Sequence, residues 1–168
     1  MKGIPVHSYK SRYTELLLFS PPMDGWKSNS RMTGPKSVIL SKPQVQILVN
    51  HARDIAPNES CAVLFGNTVD GNVLVEDIFI TKNIENSPVN FTIAPEELIS
   101  AYSAAEKKKL EVIGIFHSHP DSVAYPSSTD KKYMEINPVP WVIFSNQNNE
   151  FKAYIYDSGL VPVPVKIS

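Results

Sequence analysis

His117 and His119 stand two residues apart at the end of an apolar run from Glu111, and Pro120 follows directly. Strand side chains alternate between faces, so this spacing puts both imidazoles on one side, with Cα atoms ~6–7 Å apart. Two imidazoles at that separation can converge on one metal ion at ~2.0–2.1 Å. Pro120 stops the strand and leaves the pair at an edge where a loop opens to solvent. Asp130 comes next, where a short helix should begin after a proline-containing loop. Two histidines and a carboxylate make three ligands and keep a fourth tetrahedral position free for water. Ser127-x-x-Asp130 also has the spacing of a capping box, so a helix start alone accounts for the aspartate; both roles are compatible.

Glu59 lies in Ala56-Pro57-Asn58-Glu59-Ser60-Cys61, between a helix-stopping proline and a buried strand. In isolation it reads as a surface loop residue. Beside a metal-bound water it acquires a role, because one carboxylate can take a proton from the water and return it to a leaving amine.

The elements that must position these residues follow from periodicity. Val38-Ile39-Leu40 reads as a short strand, Ser41 as an N-cap, and Pro43 sits where a first helical turn tolerates proline. Val45, Leu48, Val49, Ala52 and Ile55 recur at helical spacing and predict an amphipathic helix over 42–55, stopped by Pro57. Cys61 to Phe65 is an almost continuous apolar run, as in a strand buried on both faces. Asp70-Gly71 is a hairpin signal, with Val73 to Thr81 returning. A polar loop over 82–88 and a brief strand at Phe91-Thr92-Ile93 lead to a helix from Pro95 to about Lys109. After Glu111 to His117, a short helix ends near Ile136. Trp141 to Ser145, Phe151 to Tyr156 and Leu160 to Val165 read as three further strands. Hairpins mixed with helical crossovers give an α/β or α+β class with a mixed sheet. His51, on the first helix, is expected to face solvent or to cap.

Composition narrows the function classes. In 168 residues there are one cysteine and four histidines, so a disulfide framework and a Cys-rich zinc module are excluded. The formal charge of −1 offers no strong field for nucleic acid or anionic lipid, and no run approaches a membrane span. The expectation is a cytoplasmic protein with neither nucleic-acid nor membrane partners. Residues 1–35 are rich in Pro, Gly and Ser and carry a local positive excess, which predicts an irregular extension, tied down in part by Leu16 to Phe19. Residues 36–168 are the expected catalytic domain.

Taken together, Glu59, His117-x-His119-Pro120 and Ser127-x-x-Asp130 resemble the JAMM (MPN-plus) metalloprotease motif. That motif has an upstream glutamate and H-x-H followed, after seven residues, by S-x-x-D; residues 120–126 are those seven. Glu59 to Gly66 is similar to the family's strand ending in glycine, and the resemblance spans roughly residues 36–165. It implies an MPN/JAB-like domain, a mixed curved sheet flanked by two main helices and a short third. It implies one catalytic zinc ion held by His117, His119 and Asp130, with Glu59 as general base and then acid on a zinc-activated water. Ser127 would donate to the oxyanion. Family members hydrolyse the isopeptide bond between the Gly-Gly C-terminus of ubiquitin, or a ubiquitin-like modifier, and a substrate lysine. The implied partners are such modifiers, their conjugates and a proteasome-like complex. A groove for the modifier tail would match Asn83 to Thr92, with Asn90, Phe91 and Thr92 contacting it by strand pairing. Glu135 to Trp141 is short and lacks the Cys/His insertion of linkage-specific members, which argues against a second zinc and against linkage preference. Alternatives are trimming of a sulfur-carrier precursor, a non-catalytic MPN scaffold, and hydrolysis of small amides. Cys61 reads as a core residue rather than a nucleophile.

Overall fold

Strand alternation at the centre of the sheet decides the architecture. The computed structural model describes residues 34–168; the expected extension, with its Leu16 to Phe19 run, lies outside them apart from Gly34 and Pro35. The strand β2 (Cys61–Val69) turns at Asp70 and Gly71 into β3 (Asn72–Thr81). Both turn residues have positive φ, 51° and 79°, as a two-residue hairpin turn that matches the sheet's twist requires. In β2, Ala62 and Leu64 point to one face, and Val63 and Phe65 to the other. The first pair packs with Leu48, Val49 and Ala52 of helix α1 (Lys42–Ile55). The second packs with Ala101 and Ala105 of α2 (Pro95–Lys107). The continuous apolar run at Cys61–Phe65 is therefore the mark of a strand covered by a helix on each side. Each fully buried Leu or Phe there contributes about 1.5–3 kcal/mol.

The remaining elements are β1 (Ser37–Leu40), β4 (Glu111–His119), α3 (Ser128–Ile136), β5 (Trp141–Ser145), β6 (Glu150–Tyr156), β7 (Leu160–Val163) and β8 (Val165–Ile167). They form an eight-stranded mixed sheet in the order β7-β6-β5-β4-β2-β3-β1-β8. β4 is antiparallel to β2 and parallel to β5, and β1 is parallel to both β3 and β8. Helix α1 starts as expected: Ser41 Oγ accepts from the Gln44 amide and Gln44 Oε1 accepts from the Ser41 amide. Helix α3 sits on the α2 side of the sheet, where its Met134 packs with Trp141, Ile143 and Tyr154. Among the described residues no helix is long and apolar enough to cross a membrane.

Four local expectations change. Phe91-Thr92-Ile93 is not a strand; only one bridge, Asn83 to Ile93, forms there. The Thr92 amide, which a strand partner would have taken, donates instead to Asn83 Oδ1. Strand β4 runs on to His119, because β5 continues the parallel ladder as far as Ser145. The single strand expected over 160–165 breaks at Pro164, which has no N–H to donate. Its carbonyl accepts from Val38, so the chain passes from pairing with β6 at one end of the sheet to pairing with β1 at the other. The sheet is thus curved until its edges are bridged by one short segment. His51 is half-buried, and its Nε2 hydrogen-bonds to the Cys61 carbonyl, tying α1 to the start of β2.

Gly66 marks a register shift between β2 and β3, where a Cβ would lie 1.8 Å from the Leu74 carbonyl oxygen. The obstacle is backbone and cannot rotate away. Gly66→Ala is therefore expected to destabilise by about 3 kcal/mol, read as a fall in Tm of about 10 °C by thermal denaturation.

Candidate metal centre

The last turn of the β4 pleat carries the site. His117 and His119 pair with Ile143 and Ser145 of β5, and their Nε2 atoms meet 3.0 Å apart. The His117 ring is fully buried. Phe91 stacks on it at 4.7 Å between centroids, and Trp141 approaches edge-on at 5.9 Å. These neighbours fix the ring on its Nδ1 side by packing, since His117 Nδ1 has no hydrogen-bond partner. His119 is fixed differently: its Nδ1 is 2.8 Å from the Val123 carbonyl. A carbonyl only accepts, so Nδ1 carries the hydrogen and the Nε2 lone pair faces the centre. That arrangement is the usual support of a metal-ligating histidine.

Asp130 enters from the first turn of α3. Its amide donates to Ser127 Oγ at 3.0 Å, and its Oδ2 accepts from the Ser127 amide at 2.7 Å. The same Oδ2 lies 3.4 Å from His117 Nε2 and 3.6 Å from His119 Nε2. One oxygen thus serves as cap and as the third corner of the cluster, so helix geometry aims the carboxylate. Three ligands at ~2.0–2.1 Å in a tetrahedral set lie ~3.3 Å from one another. The observed edges of 3.0, 3.4 and 3.6 Å fit a divalent ion of that size, and the imidazole and carboxylate donors suit it chemically. Ser127 is half-buried beside this corner; its Oγ accepts from the Asp130 amide, and its hydroxyl, the one donor of that side chain, lies against the Asp130 carboxylate.

The loop between β4 and α3 is pinned from beneath. The carbonyls of Ser122, Val123 and Ala124 accept from Ser145 Oγ, His119 Nδ1 and the Tyr154 hydroxyl. Three consecutive inward carbonyls hold residues 122–124 against β4, β5 and β6.

Glu59 is buried at the opposite wall, with Oε1 3.8 Å from His119 Nε2. Burial pushes its carboxyl up to about 8; His119 opposes this, and Asp130 and Glu85 add to it. A carboxyl in that range exchanges protons near neutral pH, as an acid–base group must. For Asp130, burial works against ionisation, but the two imidazoles facing its Oδ2 win and hold it well below the usual carboxylate range. Burial lowers His117. It would also lower His119, but Asp130, the Val123 carbonyl and Glu59 outweigh it and raise that ring. Cys61 is wholly buried, with its thiol pushed up to about 11 by desolvation and accepting from Thr81 Oγ1. Such a thiol is not a nucleophile at neutral pH.

The five residues of the sequence motif are thus gathered around one point. The three expected tail contacts are placed less uniformly. The Phe91 ring is committed to His117, Thr92 Oγ1 is hydrogen-bonded to Glu85, and the Asn90 carbonyl accepts from Asn83 Nδ2. Two supporting residues escape sequence reasoning. Ser118, between the histidines, faces away from them and accepts at Oγ from both the amide and hydroxyl of Ser60, next to Glu59. Asn83 is a buried polar residue at the end of β3. A serine between two ligands carries a signal only through strand alternation, and a lone asparagine before a loop carries none.

Comparison with known proteins bears on the family and the fold. Residues 41–156 match the family described as prokaryotic homologs of the JAB domain. A desampylase from Pyrococcus furiosus is 43% identical over 97 residues, covering 58% of this chain and 66% of that protein. A CysO-cysteine peptidase from Mycobacterium bovis is 29% identical over 134 residues, 77% of this chain and 90% of its own. A solution structure of a protein from Desulfitobacterium hafniense superposes with a TM-score of 0.71 at 29% identity, covering 78% of this chain and 92% of that one.

Proposed function

The chain belongs to the family of prokaryotic JAB-domain homologs, and on that premise we propose that it is a zinc-dependent isopeptidase. Its substrate would be the bond between the Gly-Gly C-terminus of a ubiquitin-like modifier and a lysine. One observation carries the reading: three ligand atoms converge within 3.6 Å of one another beside the buried Glu59 carboxyl, whose Oε1 is 3.8 Å from His119 Nε2. His117 Nε2, His119 Nε2 and Asp130 Oδ2 would hold the ion. When bound, zinc supplies a polarised carbonyl and a water that ionises near neutral pH. Glu59 would take the proton from the attacking water and deliver it to the departing amine, two roles that one carboxyl can fill in sequence. The Ser127 hydroxyl would donate to the oxyanion that develops on the carbonyl, a contribution of about 10²–10³ in rate. No covalent enzyme intermediate is needed, in keeping with the inert Cys61.

The relatives' names support a peptidase acting on small modifier proteins, and they also sustain a second reading. Likeness to a CysO-cysteine peptidase favours release of a C-terminal residue from a sulfur-carrier protein. Both readings need the same tail and differ in the leaving amine. Mass spectrometry separates them: the purified zinc-loaded protein is given a modifier–lysine conjugate and, separately, a modifier extended by one C-terminal residue. Cleavage of the conjugate, abolished by a chelator and restored by zinc, is the expected result. Cleavage of the extended precursor alone would transfer the assignment to the second reading. Inertness toward both at full zinc occupancy would sink the two together.

A further inference from the structure

Glu59 has its backbone fixed by a loop that supplies no metal ligand. Its amide donates to the Ser87 carbonyl at 2.9 Å, and its own carbonyl accepts from Asn83 Nδ2 at 3.0 Å. Asn83 is only 5% exposed and its amide side chain is fully used. Nδ2 donates a second bond to the Asn90 carbonyl at 2.9 Å, while Oδ1 accepts from the amides of Glu85 at 3.0 Å and Thr92 at 3.2 Å. These contacts fall on both sides of the loop tip and on Glu59. Four bonds saturate what a primary amide offers to carbonyls and amides in this geometry. No other side chain of similar size presents two donors and a two-bond acceptor from one planar group.

We propose that Asn83 is a positioning residue that locks the general base and the loop 83–93 into one rigid unit. The inference rests on the isopeptidase reading and deepens it: the loop that meets the modifier tail and the carboxyl that moves the proton are set by the same side chain. Nδ2 ties Glu59 to the Asn90 end of the loop, and Oδ1 ties the loop's Glu85 and Thr92 sides together. Asn83 makes no hydrogen bond to His117, His119 or Asp130 and reaches the metal site only indirectly, through Phe91, which sits between Asn90 and Thr92 and stacks on His117.

The test uses the full chain, zinc-loaded, and compares Asn83→Ala with Asn83→Asp. Asp keeps an oxygen for the Glu85 and Thr92 amides but has lost the donor to the Glu59 and Asn90 carbonyls, so kcat falls about 100-fold while KM rises less than in the alanine variant. Ala loses both functions, so kcat falls similarly and KM rises about 10-fold. Zinc content by atomic absorption stays stoichiometric in both. Backbone hydrogen exchange supplies a readout that needs no substrate: the Glu85 and Thr92 amides exchange about 10-fold faster in Asn83→Ala but not in Asn83→Asp. Unchanged exchange in Asn83→Ala, or equal kinetic losses in the two variants without a KM difference, overturns the role of Asn83. A parent protein inert toward every conjugate, with the amides behaving as expected, instead retires the isopeptidase reading and takes the catalytic part of this role with it.

Discussion

Glu59→Gln keeps its zinc and loses turnover by about 10³-fold or more, a rise of about 4 kcal/mol in the barrier. The amide is nearly isosteric with the carboxyl and makes no ligand bond, since the three converging atoms belong to His117, His119 and Asp130. What it lacks is any ability to take and return a proton. Steady-state kinetics on a modifier conjugate, alongside metal analysis, read the two effects separately; activity within tenfold of the parent would remove Glu59 from the mechanism. Stability moves in the opposite direction. In the metal-free protein the carboxyl is pushed from 4.5 to about 8. A raised acid gives stability that is fully present below its unfolded value and is lost as pH climbs toward the folded one. The metal-free parent therefore loses Tm between about pH 5 and pH 8 in a way Glu59→Gln does not, and the difference between the two curves isolates this side chain.

His117→Ala abolishes metal binding, and the sign of its effect on stability depends on the metal. His117 is fully buried, and in the metal-free protein its Nδ1 has no partner. A buried unpaired polar atom costs about 1–3 kcal/mol, so removing it offsets much of the cavity that alanine leaves. With metal the balance reverses, because an ion that binds only the folded state stabilises it by about 4 kcal/mol at a thousandfold excess over Kd. The expected result is a zinc-dependent rise in Tm for the parent that is absent in His117→Ala, with the two proteins close together in chelator. A variant that still takes up a full equivalent of zinc would overturn the ligand assignment. So would one whose Tm still rises with zinc.

The metal centre was readable from residue spacing because each of its parts is local. The H-x-H pair needs only strand alternation, and Asp130 needs only the geometry of a helix start three residues beyond Ser127. The helices over 42–55 and from Pro95 were legible for the same reason, since caps and apolar periodicity sit within a few residues. What spacing could not supply was pairing between distant segments. Asn83 meets Glu59 across 24 residues, and Ser118 meets Ser60 across 58. Neither contact has a local signature, because an amide or hydroxyl is chosen there by the carbonyls and amides facing it after folding. The strand expected at residues 91–93 failed through the same competition, with a side chain taking the amide that a ladder would have used. His51 was misplaced because helical position alone does not reveal that the Cys61 carbonyl needs a donor.

The break at Pro164 bears on how the molecule is made. β7 covers the outer edge of β6 and β8 covers the outer edge of β1, so two rows of backbone groups at opposite ends of the sheet are satisfied by residues 160–167. Until that segment is in place, both rows are open templates for pairing with another chain. Val38 is joined to Val165 across most of the described sequence, a contact of very long range whose loop closure comes at an entropic cost and slows folding. A chain arrested before residue 160 holds the complete Glu59, His117, His119, Ser127 and Asp130 set, yet exposes both edges at once, and its characteristic failure is self-association.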